Sequence, residues 1–410
     1  MRLLVVSQYF WPESFRINDI VRSLAKKGHM VDILTGKPNY PEGIIYPGYR
    51  SWGCQVETWQ GVNIYRVPIA ARGSRSTLRL TLNYLSFVVS GLLFAPWILR
   101  KKKYDAILAY GLSPIFQTIP GSFVGWLKGC PVALWVQDLW PESTQATGYI
   151  NSPWVLKMLE SMVRSVYRHT DLLLIQSNAF RVPVAKLAQG KPIVYYPNSV
   201  ESTFYNPPTV LLPNIPGLTD GFSVLFAGNV GIGQAVEVIV DAAEKLRGHP
   251  DIHFVVLGKG SRWDWLREQV KMRGLTNLQL AGQYPVETMP GLMRQASVLL
   301  VTLANQLIFA ATVPNKIQAY MAVGRPIVAC LNGEGARLIT EANAGFAVPA
   351  EDAIALANAV LKLYAMSDEE REIIGQNGRT YYREHFDHDR LIEQLTDHLH
   401  ELMLSFRKNR

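Results

Sequence analysis

Short apolar runs alternate with amphipathic stretches along most of the chain. Leu3–Ser7, Val31–Leu34, Val62–Val67, Ala106–Ala109, Val132–Val136, Asp171–Gln176 and Ile193–Tyr196 have the length and branched or aromatic character of buried strands. Between them Ile17–Lys27 repeats its apolar residues at helical spacing, and residues 80–99 and 114–128 read as further helices. Nearly continuous apolar strands separated by helices predict a parallel sheet covered on both faces. Pro197, Pro207, Pro208, Pro213 and Pro216 then break the rhythm, which is linker composition. The pattern restarts with strands at Phe222–Ala227, Ile252–Leu257, Leu278–Ala281, 297–302 and Pro326–Cys330. Helices at Ala235–Leu246, 262–273, 286–295 and Ala353–Ala365 accompany them. The expected fold is therefore α/β, with two doubly wound Rossmann-like domains of similar size facing a cleft. Their expected bounds are 1–200 and 222–386, joined by a Pro-rich linker over 201–221. A C-terminal amphipathic helix within 387–410 aligns Leu391, Leu395, Leu399, Leu402 and Phe406 on one face. That face needs a surface to lie on: the first domain, a partner or a membrane.

Composition narrows the class. A chain of 410 residues with 48% hydrophobic and 18% charged residues is globular and long enough for two full cores. Lys and Arg exceed Asp and Glu by 41 − 33 = 8, which suits anionic partners without choosing among them. Cys54, Cys130 and Cys330 are far apart and form no CxxC, which argues for a reducing compartment and against a zinc site. Met1–Val6 leads straight into a polar segment and does not read as a signal peptide. Tyr84–Leu99 is the most apolar stretch and ends on Arg100-Lys101-Lys102-Lys103. As a helix it would be roughly 24 Å long, short of a hydrocarbon core of about 30 Å. It reads equally as a buried core helix or as a helix lying in a membrane surface.

The loops that follow strands are where a doubly wound sheet binds ligands. One precedes the helix read from Thr312-Val313-Pro314-Asn315-Lys316-Ile317-Gln318, with Pro314 suited to the first helical position. Lys316 is a cation in a first turn that favours anions, a conflict that an anionic ligand would remove. A second loop, Gly228-Asn229-Val230-Gly231-Ile232-Gly233-Gln234, lies between strand and helix and has the glycines for close backbone approach to a phosphate. Its G-x-x-G-x-G spacing, and the absence of a third glycine beside Gly258-Lys259-Gly260, give little support to a dinucleotide cofactor.

A third loop, Gln137-Asp138-Leu139-Trp140-Pro141-Glu142, carries two carboxylates four residues apart beside an indole. These are a candidate base and a substrate-binding group, or equally caps of the following helix. The fourth, Tyr9-Phe10-Trp11-Pro12-Glu13-Ser14-Phe15-Arg16-Ile17-Asn18-Asp19, has no glycine, and its aromatics suit a sugar or lipid face or simple packing. There is no HExxH, and Asp387-His388-Asp389 is the only Asp-x-Asp, at a helix start where a capping Asp is expected; no metal site is expected.

Taken in order, YFWPE at 9–13, KGH at 27–29, DLWPES at 138–143, YPNSVE at 196–201, FAGNVG at 226–231 and VPNKIQAYMAVGRP at 313–326 resemble the nucleotide-sugar glycosyltransferases of family 4, with the GT-B fold. FRIND at 15–19 and the VPNK-type helix look most like a bacterial, WbuB-like subgroup of O-antigen and capsule amino-sugar transferases. The resemblance implies a UDP-sugar donor held by the second domain, retention of anomeric configuration and no metal or other cofactor. It implies a donor site from Gly228, Asn229, Val230, Gly231, Gln234, Lys259, Pro314, Asn315 and Gln318, with Lys316 answering the leaving diphosphate. Trp11, Glu13, Arg16, Asn18 and Trp140 would face the acceptor, a polyprenyl-diphosphate-linked saccharide, and Asp138 or Glu142 would serve catalysis. Such an enzyme is expected to work peripherally on the cytoplasmic face of the inner membrane and not on nucleic acid.

The sequence also departs from the family pattern. Asn229 and Gln234 stand where many members carry Arg and Lys, and the paired glutamates eight apart fall on Ala311 and Ala319. Ribose recognition must therefore differ, or rest on Gln318 or another group. A UDP-sugar epimerase of the same fold and a non-catalytic nucleotide-sugar-binding protein are the competing readings.

Overall fold

The computed structural model describes residues 1–73, 77–146, 152–205 and 207–408. It divides into two compact units, Met1–Pro197 with Asp389–Arg410, and Asn198–His388. The first contains β1 (Arg2–Val6), α1 (Arg16–Lys26), β2 (Met30–Thr35), β3 (Gln55–Trp59), β4 (Val62–Arg66), α2 (Thr77–Ile98), β5 (Ala106–Gly111), α3 (Ile119–Lys128), β6 (Val132–Val136), α4 (Glu142–Ala146), α5 (Pro153–Arg168), β7 (Leu172–Ile175), α6 (Arg181–Ala188) and β8 (Ile193–Tyr195). The strands pair in the order β3-β4-β2-β1-β5-β6-β7-β8, and only β3 runs antiparallel to its neighbour. β3 was not expected from the sequence. Its exposure alternates until Trp59, as befits an edge strand, so it lacks the continuous apolar run that marks the others.

In the second unit, α7 (Ser202–Tyr205) precedes β9 (Phe222–Ala227), α8 (Glu237–Lys245), β10 (Ile252–Leu257), α9 (Trp263–Met272), β11 (Leu278–Gly282), α10 (Met289–Gln295) and β12 (Val298–Thr302). Then come α11 (Leu307–Ala311), α12 (Asn315–Val323), β13 (Ile327–Cys330), α13 (Glu334–Glu341), β14 (Gly345–Val348), α14 (Ala353–Tyr364) and α15 (Asp368–His385). All six strands are parallel, in the order β11-β10-β9-β12-β13-β14. The order reverses direction beside β1 and β5 in one sheet and beside β9 and β12 in the other. The loops leaving those strands are where ligands of doubly wound sheets bind.

The last helix, α16 (His388–Lys408), returns to the first unit. Leu391, Ile392, Leu395, Leu399 and Leu402 are buried there in one cluster with Ile17, Ile20 and Leu24 of α1. Lys27 Nζ adds an ion pair to Glu393 at 2.7 Å.

Two expectations are corrected. Residues 201–221 are not a free linker: Phe204, Ile215 and Leu218 are buried in the core of the second unit beside Val200. Prolines disfavour regular structure but do not prevent apolar neighbours from packing. Position 206 of that stretch and positions 409 and 410 lie outside the described residues. The apolar helix α2 is also longer than the stretch read from sequence, 22 residues rather than 84–99, and Pro96 sits inside its last turn.

Candidate functional site

In the second unit the phosphate-type loop and the α12 start come together. β9 ends at Ala227, and the backbone turns at Gly228 with φ +132, a conformation that side chains resist. Gly228 N–H donates to Leu257 O at 2.8 Å and Val230 N–H to Lys259 O at 2.9 Å, so the loops after β9 and β10 are zipped together. A Cβ on Gly258 would stand 1.8 Å from Gly228 O, which demands glycine there. A Cβ on Gly228 would meet Lys316 Cε at 2.8 Å, which shows how closely the lysine lies over the loop.

Lys316 Nζ donates to Gln234 Oε1 at 2.7 Å and sits 3.7 Å from the centre of the Phe226 ring, a cation–π distance. No carboxylate pairs with it among the described residues. Burial pushes its ammonium down to about 7. Tyr320, one turn further along α12, fixes the helix under the loop: its hydroxyl accepts from Ala227 N–H at 3.1 Å and is 3.3 Å from Leu300 O. Asn315 Oδ1 accepts from Asn198 Nδ2 at 3.1 Å, tying Asn198 to the helix start. Asn229 and Lys259 are exposed at the loop tips.

The structure corrects two details of this site. Pro314 is the residue before α12 rather than its first turn, with φ −66 and ψ 134. Gln318 is 0% exposed, and neither atom of its amide has a partner among the described residues. From Ile317 to Val323 α12 is buried on every side, so only its first turn reaches a ligand and Gln318 does not meet a ribose in this state.

In the first unit, Asp138 follows β6 and its carboxylate accepts from Ser113 Oγ at 2.8 Å. Trp140 Nε1 donates to the same hydroxyl at 2.9 Å. Ser113 leaves β5 at the sheet's reversal point, and no motif marked it; only its place after a strand could have drawn notice. Burial raises the Asp138 carboxyl above its ordinary range, and the Ser113 hydrogen bond opposes the shift. The side chain is thus engaged by the β5 loop rather than by α4. Glu142 is exposed in the first turn of α4.

The β1 loop holds the larger corrections. Glu13 is 2% exposed and points inward: Oε1 accepts from Asn39 N–H at 2.8 Å and Tyr40 N–H at 2.7 Å, and Oε2 from Phe10 N–H at 3.3 Å. Asn18 spends its amide on Glu13 O at 2.7 Å and Trp11 N–H at 3.2 Å. Trp11 stacks on Trp59 with centroids 5.9 Å apart. These three hold the loop in shape, because buried backbone N–H groups in a loop without ladder partners need side-chain acceptors. Arg16 opens α1, and its Nη1 is buried without a partner among the described residues.

Glu13→Ala is expected to cost roughly 2–5 kcal/mol in chemical denaturation, since it orphans buried donors, while Glu13→Gln keeps the Oε1 contacts and most of the stability. Burial raises the Glu13 carboxyl from 4.5 to about 7. The folded state therefore keeps a proton that the unfolded chain releases, and stability from this group falls as pH rises from 4.5 toward 7. Glu13→Gln should flatten that part of the stability profile.

Comparison with known proteins adds to this geometry. Residues 14–198 match the sequence model described as glycosyl transferase 4-like domain, and residues 221–366 the one described as glycosyl transferases group 1. WcaI of Escherichia coli strain K12, named as a colanic acid biosynthesis glycosyl transferase, is 26% identical over 339 residues, covering 79% of this chain and 82% of its own. Sucrose-phosphate synthase from Thermosynechococcus elongatus superposes with a TM-score of 0.77 at 16% identity, over 98% of this chain and 99% of its own. Anabaena HepE, solved with UDP and glucose, superposes with a TM-score of 0.67 at 14% identity, over 98% of this chain and 100% of its own. The two sheets and the long terminal helix are thus those of the GT-B fold.

Proposed function

This chain belongs to the glycosyltransferases of family 4, and from that premise we propose that it moves an N-acetylated amino sugar from a UDP-sugar to a polyprenyl-diphosphate-linked saccharide. The acceptor is an intermediate of O-antigen or capsule assembly, and the anomeric configuration is retained. The observation that carries the donor assignment is the meeting of Lys316, Gln234 and the Gly228–Gly231 backbone at the first turn of α12. UDP in the HepE structure and the colanic acid role in the WcaI name support the donor and pathway classes.

In this reading the diphosphate lies against the loop's backbone, and the Lys316 ammonium neutralises the charge that develops on it as the sugar leaves. Ribose is held by groups of the β9 and β10 loops rather than by Gln318. Asp138, held by Ser113, orients the acceptor hydroxyl or takes its proton; a raised pKa suits a base working near neutral pH. Arg16, with a guanidinium nitrogen that has no partner among the described residues, serves the acceptor's charged part.

The test is incubation of UDP-HexNAc donors with and without a polyprenyl-diphosphate-sugar. UDP released only with acceptor supports transfer. An altered UDP-sugar without acceptor would mean epimerisation, and binding without turnover a non-catalytic role.

UDP binding should also report Lys316 directly. Above pH 7 its free amine is largely neutral, and a neighbouring diphosphate draws a proton back onto it. UDP affinity is therefore expected to fall with rising pH above 7, by up to about tenfold per pH unit. Calorimetry at pH 8 in buffers of different ionisation enthalpy should show proton uptake, and Lys316→Gln should show none.

A further inference from the structure

α2 is apolar on both its inner and its outer side, where an ordinary sheet-covering helix is polar outside. Phe87 and Ala95 at its inner side, and Leu99 just past its end, are 0% exposed in a core with Leu4, Val6 and Leu34. Its outer side is apolar too: Leu78, Leu82, Leu85, Val89, Leu93 and Trp97 recur every three or four residues and are 47–69% exposed. Bare apolar stripes of this length mark an interaction surface rather than ordinary solvent exposure. The surface continues sideways through a groove of about 430 Å³ lined by Leu92, Phe123, Trp126 and Met162 from α2, α3 and α5. Trp126 on α3 and Trp154 on α5 are 74% and 73% exposed.

Charge identifies what covers it. No Asp or Glu occurs from Thr77 to Lys103, and Arg100, Lys101 and Lys103 are exposed directly beyond the helix. Next to them a cavity of about 840 Å³ is lined by Arg2, Arg22, Lys26, Lys101 and Lys102, with Asp32 as the carboxylate that pairs with Lys102 at 3.4 Å. An apolar stripe with exposed indoles and a basic end has the chemistry of an anionic bilayer surface.

We propose that α2 lies in the surface of an anionic lipid bilayer, its outer stripe with Trp126 and Trp154 inserted and Arg100, Lys101 and Lys103 against the headgroups. At 22 residues and about 33 Å the helix is long enough to cross, but crossing would strip its inner face from the sheet core, so it lies flat. On the acceptor assignment above, α2 also links the lipid surface to the β1 loop. Asn83, 0% exposed on the inner face of α2, accepts from Gln8 Nε2 at 2.7 Å and Tyr9 OH at 3.2 Å. It donates to Ala70 O at 2.6 Å and Asn39 Oδ1 at 3.2 Å. The helix that enters the lipid therefore also anchors the β1 loop and its neighbours, and a lipid-borne acceptor arrives beside them.

Flotation with phosphatidylglycerol-containing vesicles, without donor or acceptor, tests the surface independently of any reaction. Wild type should float with them at low salt and largely detach from neutral phosphatidylcholine vesicles. Leu85→Asp/Leu93→Asp should weaken binding at least tenfold, since one fully transferred leucine changes a binding constant by roughly 10- to 100-fold, and leave melting and UDP affinity unchanged. Lys101→Glu/Lys103→Glu should remove the preference for anionic vesicles. On a vesicle-borne acceptor the leucine variant should transfer poorly, while on a short, water-soluble acceptor it should match wild type. No flotation of wild type, undiminished flotation of the leucine variant, or a solution dimer that this variant abolishes would each overturn the proposal. Failure on the soluble acceptor by wild type would instead count against the transfer reaction alone.

Discussion

Lys316→Ala is expected to lower turnover about 10²- to 10³-fold, or roughly 2.7–4 kcal/mol in the transition state, while changing folding stability little. The ammonium is preorganised: its nitrogen is held by Gln234 Oε1 and the Phe226 face, and α12 is fixed by Tyr320. Asn229 and Gln234 bring no charge to the loop, so no other buried cation of the β9 loop substitutes for it. Stability should survive because the lysine has no carboxylate partner to strand among the described residues and its charged form is already disfavoured by burial. Steady-state UDP release and thermal melting of the purified variant separate the two effects. Turnover at the wild-type rate would remove Lys316 from the chemistry.

Asp138→Asn should lower transfer by about 10²- to 10⁴-fold, the usual worth of a positioned base. The amide can still accept from Ser113 Oγ and keeps the shape of the β6 loop, so melting and UDP binding should stay near wild type. Ser113→Ala provides the complementary measurement. It removes the hydroxyl shared by Asp138 and Trp140, leaves the carboxylate with its backbone contact to residue 113, and should lower kcat less than Asp138→Asn does. If Asp138→Asn transfers at the normal rate, the carboxylate is structural and the exposed Glu142 becomes the remaining acid of that loop.

The contrast between Asp138 and Glu13 shows how far local pattern reaches. Both are acids in loops after strands, beside Trp and Pro, and the sequence offers no way to tell them apart. The structure separates them by what lies opposite: the hydroxyl and backbone of the one residue Ser113 for Asp138, and backbone N–H groups of residues 10, 39 and 40 for Glu13. Residues 39 and 40 are brought there by the β2 loop, 26 positions away, and no short window contains that information.

The alternation of apolar runs and helices by itself determined two doubly wound sheets, parallel but for the edge strand β3, because burying both faces of a sheet forces continuous apolar strands. It also determined that Lys316 opens a helix and that Gly228–Gly231 follows a strand, since caps, glycines and periodicity are local properties. Only the tertiary structure decided that residues 201–221 help build the second core, that Gln318 is sealed inside α12's surroundings, and that α2 turns its second apolar face outward. Each of these depends on which neighbours the fold supplies. An apolar or polar side chain carries the same identity whether covered or bare, and only packing against distant segments settles which it is.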